Sequence, residues 1–307
     1  MKIISQYICI IILILNSFNG FSQQDPLYTQ YYNNFSLINP AYAGSHGYFT
    51  ATASIRSQWA GEDGAPKTEA ISVHGATGKN VGLGLSIVND KVFVLSEKHI
   101  YADFSYALKV SEKSTLAFGI KAGASFLNID LLELEIFNDP LLNENINQTN
   151  PNIGVGAFYY SDKFYVSLST INLLESTRYE KRNVVTSANK NIVAYLSSGY
   201  VFDLSKEFQL RPSFLIRAVN GAPLTTDVSA SFLWNNLLEI GISHRFDESI
   251  SGLFQIRLNE YLKLGYTYDS STQNIGNYTS GAHELSIIVN LNKSSSKFKK
   301  PKVPFNW

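Results

Sequence analysis

Ile100-Tyr101-Ala102-Asp103-Phe104-Ser105-Tyr106-Ala107-Leu108-Lys109-Val110 puts an apolar side chain at every even position, while its odd positions carry Tyr, Asp, Ser, Ala and Lys. Successive side chains of a strand point to opposite faces, so this segment has one greasy and one wet side. Its length is as telling as its period. Strands of soluble domains run about 5–6 residues, whereas a tilted strand needs about 9–11 to cross a membrane.

The alternation recurs at Phe49 to Trp59, Thr68 to Gly75, Val81 to Val88, Leu116 to Phe126, Ile153 to Tyr160, Phe164 to Ile171, Ile192 to Phe202 and Phe208 to Val219. It continues at Val228 to Trp234, Leu238 to Phe246, Ser251 to Leu258, Tyr261 to Asp269 and His283 to Leu291. With the opening stretch that makes fourteen segments, an even number within the range of bacterial outer-membrane barrels. The polar faces carry mid-strand charges: Arg56, Asp103, Lys109, Lys121, Arg211, Arg217, Asp227, Glu239, Arg245, Lys263 and Glu284. In a small dry core each would cost several kcal/mol unless well paired. A hydrated lumen removes most of that cost, so the expected fold is an all-β transmembrane outer-membrane β-barrel of about 14 antiparallel strands. Phe104, Tyr106, Phe118, Phe126, Phe202, Phe214, Phe232 and Trp234 then face lipid.

Tight turns are expected at Ser111-Glu112-Lys113, Ser161-Asp162-Lys163, Asp203 to Lys206, Asn235-Asn236 and Asn259-Glu260. Longer connections fall at Ile129 to Pro151, Asn172 to Lys190, Asn220 to Thr226 and Asp269 to Ala282. Short turns on the periplasmic side and long loops outside are the barrel asymmetry, and an even strand number puts both termini in the periplasm.

The ends differ from the middle. Residues 1–22 read as a signal peptide: Lys2, an apolar stretch from Ile3 through Leu15, then Gly20 and Ser22 before a cut at Gln23. Residues 23–47 do not alternate and are expected to be an ordered periplasmic extension or a partial plug, with the barrel spanning 48–292. The stretch 293–307 holds five lysines with Pro301 and Pro304, and reads as an extended basic periplasmic tail, either a solvated terminus or a docking peptide for an acidic partner. Cys9, the single cysteine, leaves with the signal peptide, which excludes disulfides and cysteine chemistry in the mature chain. Loss of Lys2 leaves 24 basic against 25 acidic side chains, a balance that does not favour nucleic acid.

No nucleophile elbow, phosphate loop or His-Glu-x-x-His zinc site is present. Gly82/Gly84 and Gly154/Gly156 sit at alternate strand positions, where small residues let a plug or a neighbouring wall approach. The five histidines, His46, His74, His99, His244 and His283, lack ligand-like spacing and are expected to make lumenal or interfacial hydrogen bonds. No catalytic residue, cofactor or metal site is expected.

Several blocks add a resemblance: Gln24-Asp25-Pro26 with Gln30-Tyr31-Tyr32; Ile38-Asn39-Pro40-Ala41-Tyr42-Ala43-Gly44; Arg56-Ser57-Gln58-Trp59; and Ala65-Pro66-Lys67-Thr68. Behind them come Val81-Gly82-Leu83-Gly84-Leu85 with Asn89-Asp90-Lys91, Phe118 to Gly123, Pro151 to Gly156, Gly265 to Asp269 and His283-Glu284. In this order they resemble the PorP/SprF family of type IX secretion system membrane proteins. The resemblance implies a non-enzymatic outer-membrane barrel serving secretion and gliding. It would help export or retain large surface adhesins, with the secreted protein, secretion components and membrane lipid as partners. Asn39, Pro40, Tyr42 and Gly44 are expected to form a rigid turn seating the N-terminal extension, since Pro fixes φ and Gly permits positive φ. Arg56, Gln58 and Trp59 close the first strand, with Arg56 able to pair with a lumenal carboxylate and Trp59 placed for the membrane interface. The competing expectation is a transporter for hydrophobic small molecules resembling long-chain fatty-acid channels, with Pro212 as a strand kink.

Overall fold

A computed structural model describes residues 29–78, 80–135, 144–174, 176–181, 184–190, 192–220, 222–291 and 303–304. The expected signal peptide lies outside these residues. Seventeen strands follow in chain order: β1 Phe49–Ser57, β2 Lys67–Gly78, β3 Val81–Val92, β4 Leu95–Lys109, β5 Ser114–Ile129, β6 Ile146–Ser161, β7 Phe164–Thr170, β8 Ser176–Lys181, β9 Val184–Lys190, β10 Val193–Tyr200, β11 Phe202–Asp203, β12 Phe208–Val219, β13 Thr225–Trp234, β14 Leu238–Arg245, β15 Ser249–Arg257, β16 Leu262–Ser271 and β17 Ala282–Leu291. Fourteen form the wall of one antiparallel barrel. Each pairs with the next, β1 closes on β17, and β10 closes on β12. β8 and β9 form a separate hairpin in the long β7–β10 connection, and β11 is a two-residue continuation of the wall beside β12. Closure leaves no open edge, as a spanning sheet requires where no water can satisfy backbone groups. Helix among the described residues is confined to 3-10 turns, and none is long and apolar enough to cross a membrane.

Every expected strand has its counterpart in this wall, and the period-two pattern sorts the two faces. Outward positions hold Ile71, Phe104, Phe118, Leu168, Ile242 and Leu285, with Ile242 67% exposed. An apolar belt of this extent would be untenable in water and is what a lipid-facing wall needs. Asn80 and connections 110–113, 162–163, 201–207, 235–237 and 258–261 cluster at one end with Phe49 and Leu291; the other end carries the long connections after β1, β5, β7 and β16 together with the short turns 93–94 and 246–248.

Two expectations are corrected. The lumen charges do not stand in a hydrated channel: Arg56, Asp103, Lys121, Glu239 and Glu284 are all buried, because residues 29–47 occupy the lumen. Lys109 is the exception, exposed at the end of β4. Of the two expectations for residues 23–47, extension or plug, residues 29–47 form the plug. The C-terminal tail is not free at Val303, which is buried within the plug's aromatic cluster. Beside Pro212 the ladder to β12 is interrupted without a shift of register. Gly199 opposite Ser213 and Phe202 opposite Leu210 keep one register, with only Tyr200 and Val201 missing from the ladder, the latter donating to Lys163 instead.

Candidate functional site

The plug forms neither strand nor α-helix, its aromatic and aliphatic residues being interrupted by Asn33, Asn34, Asn39, Pro40 and Gly44. Three single 3-10 turns, Tyr31–Asn33, Phe35–Leu37 and Pro40–Tyr42, are separated by Asn34 and by Ile38-Asn39. Asn39 caps the third by accepting from the Ala41 amide at 2.9 Å, and Pro40 starts it, where a missing N–H does no harm. Gly44, at φ +76°, then turns the chain toward β1.

So irregular a segment leaves backbone carbonyls unpaired unless something outside it donates. The wall donates. Lys121 Nζ reaches the Ser36 carbonyl at 3.0 Å, Ser169 Oγ that of Ile38 at 2.6 Å, and Ser105 Oγ that of Ala43 at 2.5 Å. Asn39 Nδ2 donates outward to Ser167 Oγ at 2.7 Å and to the Ala157 carbonyl at 3.0 Å. Ser72 Oγ and Ser36 Oγ both donate to Asn34 Oδ1, at 2.6 and 2.9 Å.

Three wall glycines form notches for this turn. A Cβ on Gly82 would stand 2.0 Å from the Ala43 oxygen, on Gly119 2.3 Å from the Ala41 nitrogen, and on Gly156 2.0 Å from Asn39 Oδ1. Gly44 is itself in close contact, since its own Cβ would sit 2.6 Å from the Gly82 Cα. Gly84 and Gly154 face the wall instead: Asp103 and His74 for one, Thr170 and Ile171 for the other.

The two sides of the plug meet different chemistry. Tyr31, Phe35, Ile38 and Tyr42 pack on Phe158, Tyr160, Tyr165, Tyr195 and Leu215, with Phe35 in ring contact with Tyr31, Tyr42, Phe158 and Tyr165 at centroid distances of 5.2–5.8 Å. On the opposite wall, Arg56 meets Asp269 at 2.5 Å and Glu284 at 3.2 Å. Thr29 completes this group: its hydroxyl donates to Asp269 at 2.8 Å and accepts from Arg56 at 3.2 Å, while its amide donates to Glu284 at 3.2 Å. Gln30 bonds Thr267 and accepts from Ser286 at 2.8 Å. Lys121 pairs with Asp103 at 2.7 Å and lies 5.3 Å over the Tyr101 ring.

Also on the inner wall, Arg245 grips Asp227 through two bonds of 2.7 and 3.0 Å, and Arg211 lies 3.5 Å from Glu239. At the short-turn end Lys163 and Asp203 pair in solvent; that hydrogen bond holds the Asp203 carboxyl below its usual range and raises the Lys163 ammonium. A cavity of about 190 Å³ remains beside Ala43 to Gly47, bounded by Gly82, Ser105 and Tyr160.

The structure therefore gathers Asn39, Pro40, Tyr42, Gly44 and Arg56 around the plug but leaves Gln58 and Trp59 apart. The Gln58 amide closes the β1–β2 loop on the Pro66 carbonyl, and Trp59 is 38% exposed in that loop at φ +50°. His46 and His74 come together, ring centroids 4.9 Å apart, with Tyr42 Oη 2.7 Å from His46 Nε2 and His46 Nδ1 2.8 Å from Thr50 Oγ1. Among the described residues no group of three or more His, Cys, Asp or Glu could hold a metal ion. Sequence reasoning missed the wall serines, which alternate like any polar strand residue; Ser105, Ser167 and Ser169 become distinctive only against the plug.

The model of the family described as type IX secretion system membrane protein PorP/SprF matches residues 20–289. The chain belongs to this family. The blocks that carried the resemblance are far apart in sequence, yet Gly82, Gly119, Gly156, Thr267, Asp269 and Glu284, one or more from each of five of them, all touch the plug of this PorP/SprF protein. Comparison with curated proteins gives no match. Among solved structures, the chain is similar to the Acinetobacter baumannii outer membrane protein Omp33, with 11% identity over 79% of this chain and 97% of that one and a TM-score of 0.45. It is also similar to a Pseudomonas aeruginosa FadL homologue, with 11% identity over 82% and 92% and a TM-score of 0.47.

Proposed function

We propose that this PorP/SprF barrel is a non-enzymatic outer-membrane component of the type IX secretion and gliding apparatus that helps export, or hold at the cell surface, large secreted proteins such as adhesins. The observation that supports the reading is the family match over residues 20–289; the filled lumen fits a docking barrel and a plugged channel alike. In this reading residues 1–22 are cleaved after export, the long loops face the cell exterior, and the short turns meet periplasmic machinery. Asn39, Pro40, Tyr42, Gly44 and Arg56 hold the plug, while Gln58 and Trp59 belong to the outer docking face.

The second reading, a transporter for hydrophobic small molecules, is favoured by one feature, the two-residue gap in the ladder at Tyr200 and Val201 opposite Arg211 and Pro212. Affinity purification of the tagged protein from mildly solubilised outer membranes, with mass spectrometry of what accompanies it, separates the two. Co-purification of a large secreted surface protein or of secretion components is the expected result. A barrel recovered with lipid or a hydrophobic solute alone would overturn the docking reading in favour of transport.

A further inference from the structure

Among the described residues, seven other than glycine have positive φ, and two of these are bulky aromatics: Trp59 at +50° in the β1–β2 loop and Phe93 at +52° in the β3–β4 turn. Asn80, Asn235, Asn236 and Asp247 are of the types that tolerate this backbone; a large ring there is strained. Burial does not offset the strain, since Trp59 is 38% and Phe93 57% exposed. Phe93 lies against the bare Gly64, where a Cβ would stand 2.8 Å from the ring, and the rest of the ring is open. Glycine would hold either position without strain, so the fold alone gives no reason for an aromatic at both.

The two rings belong to one ledge at the loop end. The Phe93 amide donates to the Gly64 carbonyl at 2.9 Å, the Ala60 amide to that of Gly281 at 2.9 Å, the Ser280 amide to that of Ala60 at 3.1 Å, and the Asp130 amide to that of Val94 at 2.9 Å. Tyr278, two residues before Ser280, is 80% exposed. The joined segments 58–66, 93–94, 130–135 and 272–281 carry Glu62, Asp63, Asp130, Glu133 and Glu135 and no lysine or arginine, in a chain whose acidic and basic residues are equal in number. Lys67, Lys91 and Lys98 stand on the adjoining strand ends, and Lys67 is already held by Glu69 at 2.7 Å.

The face of an aromatic ring attracts a cation, Trp most strongly, and a carboxylate beside it adds an ion pair. Exposed rings among carboxylates with no cation of their own are therefore complementary to a basic chain. We propose that Trp59, Phe93 and the carboxylates of this ledge form a docking surface for a segment of the secreted partner that carries lysine or arginine side chains. This deepens the docking reading and rests on it for the partner's being a secreted protein and for the loop end facing outward; the preference for cations comes from the ledge itself.

The test follows two dye-labelled peptides, one alternating lysine with glycine and one alternating glutamate with glycine, binding to the purified barrel in a non-ionic detergent by fluorescence anisotropy. The lysine peptide is expected to bind in preference to the glutamate peptide, less tightly as salt rises, and roughly tenfold more weakly to Trp59→Gly/Phe93→Gly. Glu62→Gln/Asp63→Asn should weaken it in the same direction, while Glu112→Gln/Glu207→Gln at the short-turn end should not change it. Since glycine suits both backbones, Trp59→Gly/Phe93→Gly should unfold no earlier than the wild type. Equal binding of the two peptides, or unchanged binding of the lysine peptide to both ledge variants, would overturn the proposal. Affinity purification from outer membranes tells its failure from that of the docking reading. A secreted protein held by the wild type and lost from Trp59→Gly/Phe93→Gly supports both, and one held equally by the two keeps the docking reading and refutes the ledge. If the wild type holds none, the docking reading fails, and the peptide comparison still decides whether the ledge selects cations.

Discussion

The plug is held by two unlike walls. Around β6, β7, β10 and β12 it buries rings against rings; around β16, β17 and β1 it is tied by directional bonds to a buried cation and two carboxylates. Apolar packing is non-directional and stabilises in proportion to area removed from water. Ion pairs out of water fix geometry, but their mutual attraction must offset desolvation. The difference teaches that the aromatic wall supplies the tendency of the segment to stay in the lumen, and the charged wall sets its register and direction.

The largest expected effect breaks the charged side. Arg56→Met leaves Asp269 and Glu284 buried without their cation, a loss of about 3–5 kcal/mol. Denaturant unfolding of the purified barrel should show it, with earlier proteolytic cleavage near Thr29. Neutralising the carboxylates as well, in Arg56→Met/Asp269→Asn/Glu284→Gln, should restore much of that stability, since the penalty lies in unpaired charge.

Phe35→Ala breaks the aromatic side, leaving a cavity among Tyr31, Tyr42, Phe158 and Tyr165 at a cost of about 3–5 kcal/mol. No charge change rescues it. Phe35→Leu, which refills part of the space, should recover a share of the loss in the same unfolding assay.

Smaller effects sharpen the boundary between plug and wall. Gly119→Val forces a side chain into the Pro40-Ala41 backbone and should cost about 1–3 kcal/mol, whereas Gly252→Ala, which meets nothing within 4 Å, should leave the midpoint unchanged. Ser167→Ala removes one bond to Asn39, about 1 kcal/mol. Lys163→Met, at an exposed pair away from the plug, should not alter stability measurably.

The wall was legible in the sequence because a lipid-facing strand must alternate, and the phase of that alternation places Lys121 and Arg56 inward without knowledge of neighbours. The plug's turn was legible too, through Asn39, Pro40 and Gly44, whose backbone preferences are local. What holds the plug was not. Thr29 meets Asp269 and Glu284 across 240 and 255 residues of chain, and a period-two pattern says which way a side chain points but not what lies opposite it. Expecting water in the lumen followed from the same gap: buried charges look costly until their partners are seen. Val303 shows the limit at the other terminus, where a lysine-rich composition concealed an apolar anchor.

The most direct test of the central claim, a lumen filled by residues 29–47, is a crosslink between plug and wall. Ser36 Oγ and Ser72 Oγ donate to the same oxygen of Asn34, so Ser36→Cys/Ser72→Cys places two thiols side by side in a mature chain expected to have no other. The account predicts that the pair joins under mild oxidation or with a short thiol crosslinker in native outer membranes, and that neither single variant reacts with a bulky water-soluble maleimide. Free reactivity of Ser36→Cys, with no crosslink to β2, would place the segment outside the barrel and contradict the account.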